Sequence, residues 1–130
     1  MAARVTTHRE LEVFRRAMDA AMILFEVSKK FPTEERYSLT DQVRRASRSV
    51  CANIAETWRK RRYELAFVSK LCDSEAEAAE TQVWIAFAVK CGYLTSEAAR
   101  PLYQSYDAII RTLVGMMNHA QTWIIPRTTK

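Results

Sequence analysis

Seven cations fall between residues 44 and 62 of the chain: Arg44, Arg45, Arg48, Arg59, Lys60, Arg61 and Arg62. Guanidinium groups at this density suit phosphate binding, because each can neutralise and fork onto a phosphate oxygen pair. Trp58 and Tyr63 flank the last four, and an aromatic ring beside cations can stack on an exposed base. On a helical wheel Arg44, Arg45, Arg48 and Arg59 share one arc. Leu39, Val43, Ala46, Val50 and Ile54 form an apolar stripe on the other. One helix carrying both would give one face to the core and one to an anionic partner or to water. The competing expectation is a solvated arc, with Asp41 and Arg45 paired at i,i+4 and Trp58 serving as a core anchor.

Charge distribution sharpens this. The chain of 130 residues has a net charge of +5, a weak preference for polyanions by itself. Residues 31–62 hold eight Lys/Arg against four Asp/Glu, whereas residues 63–94 hold two against five. A basic segment is followed by an acidic one.

Other chemistries find less support. Glu75 and Gln82 stand in the middle of an apolar stripe seven residues apart. An unpaired interior carboxylate is costly, so they are expected to form a structural polar network with Asn53 or one of Arg44, Arg45 and Arg48, fixing helix register. A ligand pocket is the other reading of the same residues. A di-metal carboxylate site needs Glu-x-x-His on two helices, and none occurs. With only His8 and His119 present and no glycine-rich phosphate loop, no catalytic residue, cofactor or metal is expected. Cys51, Cys72 and Cys91 lack metal-ligand spacing and are expected as buried free thiols. The start resembles no signal peptide, and no apolar run approaches the ~20 residues of a membrane span. A cytoplasmic protein without membrane contact is the expectation.

The elements that would position these groups are helices. Two glycines and three prolines leave too few turn signals for a sheet protein. Helix boundaries are expected near 8–30, 38–58, 63–91 and 95–124, with a loose tail over 126–130. The first helix carries a stripe of Leu11, Phe14, Met18, Ala21, Phe25 and Ser28, with a second of Val13, Ala17, Ala20, Leu24 and Val27 beside it. So broad a face suggests contact with another subunit. Ser38 or Thr40 can cap the second helix, Gly92 suits a left-handed end to the third, and Thr95 can cap the fourth. The stripe of the third helix reads Leu65, Val68, Cys72, Glu75, Ala79, Gln82, Ala86 and Val89. In the fourth it reads Leu102, Tyr106, Ile109, Leu113, Met116 or Met117, Ala120 and Ile124, with a kink or irregular start expected at Pro101. The fold class is all-α, a single antiparallel up-down-up-down four-helix bundle.

Several local strings match one family. Leu11-Glu12-Val13-Phe14 resembles the L-E-V-[WF] that opens small bacterial bundle proteins of the ribosomal-RNA intervening-sequence family. Leu39 to Ala46 resembles its L-T-x-Q-[IV]-R-R-A, and Ser49 to Glu56 its S-[IV]-x-x-N-I-A-E. Glu80-Thr81-Gln82 and Cys91-Gly92-Tyr93-Leu94 match E-T-Q and x-G-Y-[LI]. Cys51 replaces a frequent proline and Thr57 a glycine. The resemblance, over about residues 8–123, implies a four-helix bundle. A related branch, the accessory variability determinants of diversity-generating retroelements, forms basic five-fold rings that bind nucleic acid and a reverse transcriptase. By that analogy a homo-oligomer, as a pentameric ring, is implied. The reading that results is a non-enzymatic oligomeric scaffold contacting RNA or DNA through its basic second helix. The alternative is a protein-interaction adaptor whose basic face meets an acidic protein.

Overall fold

The structure, a computed structural model, describes residues 5–126. Its four α-helices are α1 (Glu12–Ser28), α2 (Leu39–Arg59), α3 (Glu64–Lys90) and α4 (Ser96–Asn118), and no strand occurs among the described residues. Each helix packs on its neighbour in sequence, and α4 closes the circle on α1. Pairings across the seams fix the directions. Ser74 Oγ in α3 donates to Val50 O in α2 at 3.0 Å, and Lys70 Nζ lies 2.8 Å from Glu56, so numbering rises on one helix as it falls on the other. Gln82 with Asp107 and Cys72 with Met117 do the same for α3 and α4. Arg44, early in α2, meets Ser28 at the end of α1. Successive helices therefore run antiparallel, as four-helix bundles with short loops do.

The α2 stripe is buried as its periodicity implies: Leu39, Val43, Ala46, Val50 and Ile54 all face the core, with Trp58 following. In α1 the second stripe supplies the core through Val13, Ala17, Ala20 and Leu24, and the first adds Leu11 just before the helix, Ala21 and Ser28. Met18 and Met22 stay exposed. Tyr106 of α4 is wholly buried, and its hydroxyl has no hydrogen-bond partner among the described residues. Burial in apolar surroundings pushes that phenol far above its ordinary pKa.

Three expectations need correction. The first helix does not begin at residue 8, because Leu11 is extended (φ −71°, ψ 128°) and separates a 3-10 turn, His8–Glu10, from α1. Glu10 holds that turn by accepting from the amides of Thr6 and Thr7, and these bonds keep its carboxyl below the usual range. The fourth helix stops at Asn118 rather than 124. His119 leaves helical geometry, a short 3-10 turn covers Ala120–Thr122, and Ile125 N–H donates to Arg61 O at 2.8 Å. That bond draws the chain end across the α2–α3 turn. The expected tail lies outside the described residues from 127 onward.

The third correction is the register of α3. Its buried face is Phe67, Leu71, Ser74, Ala78, Thr81, Ile85 and Ala88, with Gln82 at the edge, whereas Leu65, Cys72, Ala79 and Ala86 of the expected stripe are exposed. The helix is apolar almost all round, so periodicity offers two competing faces. Ser74 and Thr81 disguise the true one. Each hydroxyl is satisfied by a backbone carbonyl, Ser74 by Val50 and Thr81 by Glu77, so neither carries a desolvation penalty.

The helix ends follow from cap chemistry. Gly92 has φ +82°, and the Tyr93 and Gly92 amides donate back to Ala88 O and Val89 O, closing α3 with a Schellman turn. Thr95 Oγ1 accepts from Ala98 N at 3.1 Å and caps α4. α4 then runs through Pro101, which is exposed. Ser38 precedes α2 without capping it by its side chain. Glu35 does so instead, accepting from Leu39 N, Ser38 Oγ and the Tyr93 hydroxyl. Those donors favour its ionised form and lower its pKa, the Ser38 contact most. They also tie the loop before α2 to the turn after α3.

Candidate nucleic-acid interface

The seven cations do not form one uniform face. Arg45 points outward, 75% exposed, with Asp41 Oδ2 3.6 Å away. Such an exposed pair contributes little to stability and leaves the guanidinium open to a better anion. Arg48 is exposed and lies 5.9 Å from the Phe25 ring. Arg59, Lys60 and Arg62 are exposed at the end of α2 and in the turn that follows.

Two arginines are committed to structure. Arg44 is half-buried. Its Nε donates to Ser28 Oγ at 2.8 Å, a terminal nitrogen reaches Phe25 O at 3.4 Å, and the guanidinium sits 4.8 Å from the Phe25 ring centroid. These groups belong to the last turns of α1, where the helix dipole favours a cation. Arg61 lies flat on Trp58, with 3.4 Å from its guanidinium carbon to a ring centroid, and its Nε donates to Trp58 O. Trp58 itself is buried, a core anchor that presents one face to Arg61. Glu56, the other acid of α2 besides Asp41, is ion-paired to Lys70 of α3 and held below the ordinary carboxyl range by it, while Lys70 also reaches Asp73. That pairing turns the acid toward α3 and leaves the α2 surface more basic.

The acidic segment lies on α3. Glu77 has its carboxyl pKa raised, first by desolvation and then by the neighbouring Glu80 carboxyl. α2 carries four arginines against Asp41 and Glu56, whereas α3 carries five acids against Lys70 and Lys90.

A model of one family matches residues 9–115, described as the 23S rRNA-intervening sequence protein. The chain belongs to this family. Among solved structures, a protein of unknown function from the S23 ribosomal protein family of Bacteroides thetaiotaomicron has the same fold. Its TM-score is 0.74 at 22% identity, over 82% of this chain and 95% of that one. No curated protein is significantly similar to the chain.

In this intervening-sequence family member, the expected polar network is not assembled. Gln82 donates to Asp107 Oδ1 at 2.9 Å and to Tyr103 O at 3.2 Å, bolting α3 to α4. Asn53 turns back along α2 to Ser49. Glu75 is half-exposed and bonds to neither of them, nor to Arg44, Arg45 or Arg48, among the described residues. The slip in the α3 register is the reason, since it places Glu75 at the rim instead of the centre. Asp107, Phe25 and Ser28 are partners that the sequence did not reveal. Each lies on a different helix from the group it serves, with no local spacing to mark it.

Cysteine placement also departs from expectation. Cys51 is buried, and desolvation pushes its thiol up to about 11, whereas Cys72 and Cys91 are exposed. His119 is exposed with Nδ1 3.0 Å from Gly115 O. Among the described residues no group of three His, Cys, Asp or Glu could hold a metal ion, and no helix is long and apolar enough to cross a membrane.

Proposed function

We propose that the protein is a non-enzymatic, cytoplasmic, homo-oligomeric scaffold that binds RNA or DNA through the outward arc of α2 and the turn after it. One observation carries this reading: Arg45, Arg48, Arg59, Lys60 and Arg62 all stay exposed, while Glu56 is drawn to Lys70. Exposed cations on a helix and the turn after it can position a nucleic acid through its phosphates.

Support for self-association comes from apolar side chains left outside on two sides of the bundle. Met18 and Met22 with Phe14 and Phe25 line a groove of about 370 Å³ between α1 and α2, together with Cys51, Ala52, Ala55 and Arg48. Val83, Phe87 and Tyr103 are exposed on α3 and α4, across the bundle from that groove. Two unlike apolar faces fit head-to-tail contacts between copies, which make a ring where the rotation between them closes. Light scattering is expected to give a mass several times the 15.0 kDa of the chain, and a monomer at all concentrations would remove the oligomer from the proposal.

Binding is tested by fluorescence anisotropy with structured RNA and duplex DNA over a salt series. The triple variant Arg45→Gln, Arg48→Gln, Arg59→Gln leaves Arg44 and Arg61 to hold the fold. It is expected to weaken binding and to flatten the log–log salt slope by roughly 2–3, near one for each phosphate that is no longer neutralised. No binding by the wild type at low salt would overturn the nucleic-acid reading and favour an acidic protein partner.

A further inference from the structure

At the end of the bundle where α2 turns into α3, an open pocket of about 590 Å³ lies between that turn and the segment after α4. This is within the ~300–1,000 Å³ of small-ligand sites. Its apolar lining is Leu65, Ile124 and Ile125, its acceptors come from Glu64 and Gln121, and Tyr63 stands at its edge. The Gln121 amide nitrogen donates to Glu64 Oε1, which leaves the Gln121 carbonyl and the second Glu64 oxygen as acceptors without a bond among the described residues. Leu65, at the start of α3, is 86% exposed, and Tyr63, in the turn before it, 61%. Arg62 also lines the pocket, and Arg59 and Lys60 are exposed in the same turn.

The arrangement sorts ligands by chemistry. The Glu64 and Gln121 acceptors disfavour an anion beside them, while Arg62 and the neighbouring cations favour one next to themselves. The matching molecule has a neutral, planar, N–H-bearing body and an anionic tail. We infer that this pocket takes the base of a nucleotide, stacked on Tyr63 and Leu65, with its phosphate on Arg62 and the neighbouring cations. The inference rests on the nucleic-acid reading and goes beyond it, because it requires an unpaired base, whereas a duplex would offer α2 only phosphates. A flat apolar ligand without charge would leave the cations unused, and a lipid headgroup would set its phosphate against Glu64.

The test compares a labelled single-stranded RNA with the same strand carrying abasic sugars at alternate positions, so that phosphate charge is equal. The intact strand is expected to bind about tenfold more tightly, the range that base–aromatic stacking supplies. In Tyr63→Ala, whose side chain is exposed enough to leave the fold intact, that difference should vanish while the salt slope stays. Equal binding of the two strands by the wild type would overturn the pocket and leave the phosphate-binding face standing. Guanosine monophosphate serves as a third probe. If it binds in a Tyr63-dependent way while neither strand does, the ligand is a free nucleotide and the strand reading falls. Absence of binding to all three probes would overturn both readings.

Discussion

Phe67→Ala is expected to lower the unfolding free energy by about 3–5 kcal/mol, the usual range for emptying a buried aromatic site. Leu65→Ala, two positions earlier on the same helix, is expected to change it by less than about 0.5 kcal/mol. Phe67 is wholly buried and Leu65 almost wholly exposed. Phe67 lies on the buried face of α3 with Leu71, so deleting its ring leaves a cavity in a close-packed core. In urea, with a slope of about 2 kcal/mol/M, the midpoint of Phe67→Ala should fall by roughly 2 M and that of Leu65→Ala should hardly move. The comparison belongs at low protein concentration, where subunit contacts add nothing to either variant. A larger loss in Leu65→Ala than in Phe67→Ala would mean that α3 packs on the stripe through Leu65 and Cys72, and the present register would be wrong.

That contrast shows where the sequence is legible and where it stops. The core stripe of α2 could be read because its large apolar residues fall on one arc and its arginines on another, although Thr40, Ser47, Asn53 and Thr57 are buried with it. The end of α3 at Gly92 and the cap at Thr95 are local devices whose partners sit within four residues, so spacing reveals them. The face of α3 could not be read, because Ser74 and Thr81 become core residues only through carbonyls that the folded backbone supplies. In α1 both stripes are real, and only the position of α2 and α4 decides that Val13 and Leu24 are inside while Met18 and Met22 are outside. The candidate interface divides in the same way. Helical periodicity correctly gathers Arg44, Arg45, Arg48 and Arg59 on one arc, but it cannot tell a cation that meets water from one that meets the end of another helix.

Arg44 is the residue on which that difference can be measured. Removing its side chain as Arg44→Ala should lower stability by about 1.5–3 kcal/mol, the range for a hydrogen bond to a charged group, although the Ser28 hydroxyl keeps its own bond to Phe25 O. Ser28 Oγ, which accepts from Arg44 Nε, is almost fully buried, and the Phe25 ring loses the cation stacked 4.8 Å away. The α1 terminus also loses its compensating charge. Arg45→Ala, which breaks only an exposed pair with Asp41, should cost less than about 0.5 kcal/mol. The two variants remove the same formal charge, so their effects on long-range attraction of a polyanion are alike. Binding should therefore respond more to Arg45, whose guanidinium is exposed, and folding more to Arg44. Arg44→Lys separates the roles further. It keeps the charge near the arc but lacks the planar fork that bonds Ser28 and stacks on Phe25, so stability should fall part of the way with the salt slope unchanged. Urea midpoints and salt slopes on the same three proteins decide the matter. An Arg44→Ala midpoint equal to the wild type would show that α2 is not fastened to α1 at this point, and Arg44 would rejoin the outward cations.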